Sequence, residues 1–118
     1  MKFATRANEA CRKFLAARGY EILDEDYSCD AGEIDFVAKD DDAIVFVEVN
    51  AREDGTKGFP TESTSETKRK RLEKIAIDWL AKSDTVGKPI RFDVIALVVL
   101  GADRALVRHH INALGACA

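Results

Sequence analysis

Apolar residues recur at helical spacing near the start of the chain. Ala7, Ala10, Cys11, Phe14 and Leu15 form one stripe, with Arg6, Glu9, Arg12, Lys13 and Arg18 between them. This period predicts an amphipathic helix, and Gly19 is placed to stop it in the left-handed conformation that glycine enters without steric cost. From Tyr20 to about Cys29 the pattern turns extended and acid-rich. Asp30-Ala31-Gly32 has the composition of a tight turn. Residues 33–38 then alternate, with Ile34, Phe36 and Ala38 on one expected face and Glu33, Asp35 and Val37 on the other. Lys39-Asp40-Asp41-Asp42 is expected to be a polar hairpin loop. The β-branched run from Ala43 to Val49 is expected to be a central strand.

Residues 51–62 lack a period and contain Gly55, Gly58 and Pro60, so a loop is expected there. Thr64, Ser65 or Thr67 can cap the helix that follows. Its apolar stripe is Leu72, Ile75, Ala76, Trp79 and Leu80, and it should end near residue 82. Gly87-Lys88-Pro89 breaks the chain. A strand over 90–100, a turn at Gly101-Ala102-Asp103 and a last strand over 104–111 complete the order α-β-β-β-α-β-β. Such an order predicts an α/β sandwich with a mixed sheet.

The chain of 118 residues has room for one domain, expected over 1–118, and can bury a core without disulfides or metal staples. Three scattered cysteines, Cys11, Cys29 and Cys117, make neither a disulfide framework nor a zinc cluster. No apolar run approaches the ~20 residues of a membrane span. With no secretory pattern in residues 1–20, the expected setting is cytoplasmic, away from membranes. The net charge of −3 excludes a generic polycation, but its distribution is uneven. Residues 1–20 carry five positive and one negative charge. Residues 21–54 carry two positive and thirteen negative, and residues 55–74 six positive and three negative. An acidic middle between basic segments suits a carboxylate site that holds cations beside surfaces that hold a polyanion. Chance placement of surface charge would give the same sums.

Glu33, Asp35 and Glu48 are the first candidates for chemistry. Glu33 and Asp35 lie two apart on a strand, and Glu48 closes the apolar run Ile44-Val45-Phe46-Val47. A hairpin turning near residues 40–42 sets Asp35 opposite residue 46 or 47, with Glu48 a short diagonal away. Clustered carboxylates resist ionisation without a cation, and Mg²⁺ or Mn²⁺ relieves that repulsion. The alternative is that these acids sit solvated at strand ends or pair with Arg52 or Arg91. The spacing of Asp35 and Glu48-Val49-Asn50 also resembles a nuclease pattern, in which an acid on one strand meets an acid-x-lysine on the next. Phosphodiester hydrolysis needs a cation against the charge on phosphorus and a positioned water.

Further pieces run in order along nearly the whole chain. They are Phe14-Leu15 with Gly19-Tyr20, Gly32-Glu33-Ile34-Asp35, Val45-Phe46-Val47-Glu48-Val49 with Arg52, and Gly58-Phe59-Pro60. Lys68 with Arg71-Leu72, Arg91-Phe92-Asp93-Val94, and Ile111 with Asn112-Ala113 complete the set. Together they resemble the YraN-like family of bacterial candidate endonucleases. The resemblance implies a restriction-endonuclease-like three-layer α/β/α sandwich with a mixed central sheet, with Asp35 and Glu48 as metal ligands. Two positions depart from the family. Its acid-x-lysine reads Glu48-Val49-Asn50, and an asparagine carries no charge to a phosphate. A glutamate usual in the first helix is Asn8, and Glu9 points away from the apolar stripe. Either the site has recruited another base or cation, or hydrolysis is lost and binding remains.

Lys68 is the best candidate for a recruited cation, and Lys68 and Arg71 share a helix face at i, i+3. The expected site is therefore Asp35, Glu48, Asn50 and Lys68, with Glu33 supporting the metal and Arg52, Lys68 and Arg71 touching phosphates. A solvated helix face is the plain alternative for the Lys68-Arg69-Lys70-Arg71 run. Arg91 and Asp93 read as an internal ion pair. His109 and His110 point to opposite faces and cannot share one ion. Trp79 reads as core, and Phe59 is the better candidate for base stacking. The expected function is a metal-dependent nuclease acting on DNA or structured nucleic acid. Its chief rival is a non-catalytic nucleic-acid-binding module on the same fold. A third reading has the acidic 21–54 surface meeting a basic protein partner. A homodimer is compatible with each, since nucleases of this fold often cut both strands as dimers.

Overall fold

The computed structural model describes residues 3–53, 58–59, 65–85, 87–100 and 104–113. Helix α1 (Phe3–Ala17) leads into three antiparallel strands, β1 (Glu21–Cys29), β2 (Gly32–Asp40) and β3 (Ala43–Arg52). Helix α2 (Glu66–Ala81) crosses over to β4 (Ile90–Val99), which runs parallel to β3, and β5 (Ala105–His110) returns antiparallel at the edge. The sheet order is β1-β2-β3-β4-β5, so the β-branched run of β3 is the central strand. Among the described residues no helix is long and apolar enough to cross a membrane.

Local chemistry accounts for the helix ends. Gly19, at φ +86°, lets Tyr20 N–H reach the Leu15 carbonyl at 3.0 Å and Gly19 N–H reach that of Ala16 at 3.0 Å. These two bonds satisfy carbonyls that the last turn of α1 leaves open. Of the three capping candidates for α2, Ser65 performs the task, its Oγ accepting the Lys68 N–H at 3.2 Å. Thr64 and the turn at 101–103 lie outside the described residues.

The sheet is covered on both faces, giving an α/β/α sandwich. On one face Ala7, Cys11 and Leu15 of α1 pack with Tyr20, Phe36, Ala38, Val45, Val47, Ile95, Leu97 and Val99. On the other, Leu72, Ile75, Ala76 and Trp79 of α2 pack with Ile34, Val37, Ile44, Phe46 and Phe92. Trp79 is core, as its spacing indicated, and its indole N–H donates to Asp24 at 3.1 Å.

β2 departs from the expected alternation. Ile34 packs towards α2, yet Phe36 and Ala38 pack towards α1, and Val37 faces α2. The facing pattern therefore slips at Asp35. The β2–β3 ladder runs from Asp40↔Ala43 to Phe36↔Val47 and goes no further. The hairpin turn is only Asp41-Asp42, tighter than expected, with Asp41 at φ +52°. Continued by one pair, that register sets Asp35 against Glu48 rather than against residue 46 or 47. β3 also runs three residues beyond its expected end, to Arg52, because β4 supplies a parallel partner as far as Arg52↔Val98.

Candidate functional site

The site forms where β2 parts from β3. Beyond Phe36 the N–H of Val49 has no β2 carbonyl to meet, and Asp35 Oδ2 accepts it at 2.8 Å. A backbone N–H of a strand lies in the plane of the sheet, so the Asp35 carboxylate sits in the seam between the two strands. Burial raises its pKa above the usual carboxylate value. The Val49 N–H opposes this, while the charges of Glu48, Asp26 and Glu33 add to the rise. Burial and, secondarily, the same carboxylate push the Cys11 thiol up to about 12, so Cys11 is a core residue and no nucleophile.

Glu48 points towards α2. Its neighbours Val47 and Val49 pack on the α1 side, and strand alternation carries Glu48, Asn50 and Arg52 to the opposite face. There Lys68 Nζ stands 2.5 Å from Oε2 and Arg71 Nη2 3.5 Å from Oε1. Lys68 and Arg71 thus share the helix face their spacing predicted, and it is turned to the acid rather than to solvent. Oε2 is buried, and the charge it faces there is the Lys68 ammonium. Arg52 Nη1 makes a long 3.5 Å contact with the Gly58 carbonyl. Glu33 is exposed. Among the described residues no three His, Cys, Asp or Glu side chains gather closely enough to hold an ion.

Gly32 takes part in a way that its sequence setting does not announce. It adopts φ +139°, and a Cβ on it would stand 3.2 Å from Arg71 Nη1 and 3.6 Å from Ile75 Cδ1. The absence of a side chain lets the guanidinium lie against the backbone on its way to Glu48. The signal is present in Gly32-Glu33-Ile34-Asp35, but composition marks such a glycine only as a turn residue.

On the α1 side lies a second polar centre, built from the residues read as an internal ion pair. Asp93 is buried, and Arg91 donates to it from Nε at 2.9 Å and from Nη2 at 3.1 Å. The Tyr20 hydroxyl at 3.1 Å and the Asn112 N–H at 2.9 Å also donate, and His109 Nε2 lies 2.8 Å away. Arg91 reaches Asp40 as well, at 3.0 Å. Burial would raise the Asp93 pKa, but the bonds from His109, Arg91 and Asn112 outweigh it and hold the group down at about 2. The glutamate expected in α1 is replaced by Asn8, which is half-buried, while Glu9 pairs with Lys13 at 3.5 Å along the helix.

Fold and site define an α/β/α protein in which a carboxylate lies in the seam of two strands and a nearby strand glutamate is met by two helical cations. The family model "Uncharacterised protein family UPF0102" matches residues 7–97, and the chain belongs to that family, the one its motifs resemble. The UPF0102 protein of Myxococcus xanthus is 40% identical over 108 residues, 92% of this chain and 85% of the relative. That of Moorella thermoacetica is 43% identical over 88 residues, 75% of this chain and 73% of the relative. A third, from Pelobacter propionicus, is 34% identical over 111 residues, 92% and 79% of the two chains.

Proposed function

We propose that this protein is a metal-dependent nuclease acting on DNA or structured nucleic acid, with Lys68 in the role that a lysine at position 50 would fill. The observation that carries the reading is the Lys68 ammonium 2.5 Å from Glu48 Oε2, with the Asp35 carboxylate in the strand seam near enough to feel the charge of Glu48. The donor set suits a small hard cation. Asp35 is held away from easy ionisation by burial and, to a lesser degree, by the charge of Glu48, a tension that a bound cation would relieve. Mg²⁺ needs only one or two carboxylates, the remainder of its shell being water and phosphate oxygen. Asp35 and Glu48 would hold it, and when bound it would stabilise charge on phosphorus and supply an activated water. Lys68 and Arg71 would orient the scissile phosphate and offset its charge, and Arg52 would contact a neighbouring phosphate. Asn50, on the same face, offers a hydrogen bond without charge.

A cleavage assay with Mn²⁺ on branched, single-stranded and duplex DNA tests the proposal. Wild type, Lys68→Ala, Asn50→Lys and the double variant are compared. Lys68→Ala is expected to remove the activity and Asn50→Lys to restore it in the double variant. A strongly active wild type indifferent to Lys68→Ala would defeat the assignment. One observation favours a second reading, a nucleic-acid-binding module without hydrolysis: Glu48 is already balanced by two protein cations. That reading predicts salt-dependent binding with no cleavage by any of the four proteins.

A further inference from the structure

We infer that Arg108 on β5 is a nucleic-acid backbone contact, so that phosphate contacts are made at the far edge of the sheet as well as on α2. The inference rests on the nucleic-acid reading above and adds a residue and a footprint to it. Ala105 and Val107 pack on the α1 side, so Arg108 projects on the face that carries Glu48 and Asn50. Register aligns Asn50, Ala96 and Arg108 across three neighbouring strands. Two strand spacings, about 10 Å, separate Asn50 from Arg108. Between them Val94, Ala96 and Val98 are buried, so a ligand meets Arg108 at the exposed edge and not across the sheet itself.

The environment of Arg108 differs in kind from that of several other arginines. Arg12, Arg71 and Arg91 each face carboxylates. Arg108 is exposed, and its guanidinium lies 4.3 Å from the centroid of the Phe59 ring on the β3–α2 connection. A ring face orients a guanidinium without cancelling its charge, and stacking leaves the N–H edge open for a phosphate. Residues 104–113 contain Arg104 and Arg108 and neither Asp nor Glu. Arg18 is also stacked, 5.2 Å from the Phe14 centroid, but it follows α1 on the opposite side of the sheet. It is therefore a matched control: the same charge and the same kind of contact, on the wrong face.

The test measures affinity for a fluorescently labelled DNA hairpin with a single-stranded arm over a range of salt. Arg108→Ala is expected to lower the slope of log K against log salt by about 0.7–0.9, the value of a single phosphate neutralised. Arg108→Lys should keep the slope, and so should Phe59→Leu, which removes the stack but not the charge. Arg18→Ala should match wild type. An unchanged slope in Arg108→Ala, or an equal fall in Arg18→Ala, would overturn the inference. An equal fall in Phe59→Leu would do so too, by tracing the effect to the position of the connection. Should Arg108→Ala not fold, Arg108→Gln gives the same comparison. If wild type itself binds no DNA at low salt, the nucleic-acid reading fails. If wild type binds and Arg108→Ala changes nothing, only Arg108 is misassigned.

Discussion

Asp35 is held in a place that costs the fold stability at neutral pH. Its pKa is raised in the native state, so the native chain binds that proton more tightly than the unfolded chain. The sign follows: its contribution to stability grows as pH falls through the raised value and is lost as pH rises above it. Asp35→Asn keeps an acceptor for the Val49 N–H and removes the charge. We expect a higher melting temperature than wild type at pH 7, with the gap closing towards pH ~3, as thermal melts across that range would reveal. A lower melting temperature at pH 7 would mean that the carboxylate is compensated in the native state. Stability gained at the expense of activity is the usual mark of a functional carboxylate. Calorimetric titration with Mn²⁺ should therefore lose its signal in the Asp35→Ala, Glu48→Ala double variant.

At the scale of elements, α2 delivers two cations to one strand acid, and the glycine that opens β2 makes room for one of them. Replacing Lys68 and Arg71 together by alanine should leave the fold intact, since neither belongs to the buried stripe of Leu72, Ile75, Ala76 and Trp79. DNA binding should weaken, and its salt slope should fall by about 0.7–0.9 for each phosphate that the pair neutralises. Wild-type affinity and slope in that variant would reduce the charge run to an internal counter-ion for Glu48. Gly32→Ala acts on Arg71 from the other side. It forces a Cβ against the guanidinium at φ +139° and should cost about 1–3 kcal/mol, read from denaturant midpoints. DNA affinity should fall with it, because Arg71 must move.

Across the whole molecule, Asp93 joins segments far apart in sequence: Tyr20 after α1, the start of β4, His109 on β5 and the backbone of Asn112 beyond it. Its folded pKa of about 2 lies below the unfolded value of roughly 3.9, so the stabilisation is complete above pH ~4. It is lost as pH falls towards about 2. Acid unfolding followed by circular dichroism should show a transition in that window. Asp93→Ala should flatten it and cost about 3–5 kcal/mol at neutral pH, since it takes the carboxylate from a largely buried Arg91. A cost below about 1 kcal/mol would show that water replaces the carboxylate.

The element order, the stop at Gly19, the core faces of both helices and the opposition of His109 and His110 are all legible in the chain alone. Those features follow from local periods and from the conformational limits of single residues, which act over a few neighbours. The chain alone also marked Asp35, Glu48, Lys68 and Arg71, because acids and bases beside apolar runs stand out against their surroundings. That Asp35 leaves its strand face for the seam is announced by no local period. That outcome depends on where the β2–β3 ladder ends, which pairing sets and periodicity does not. Pairing across the crossover likewise extended β3 to Arg52 and laid Asn50, Ala96 and Arg108 in one row. At position 32 the positive φ already favours glycine, and Arg71, thirty-nine residues away in sequence, adds a close approach that excludes a side chain. Such packing is made between elements, and no window of neighbouring residues records it.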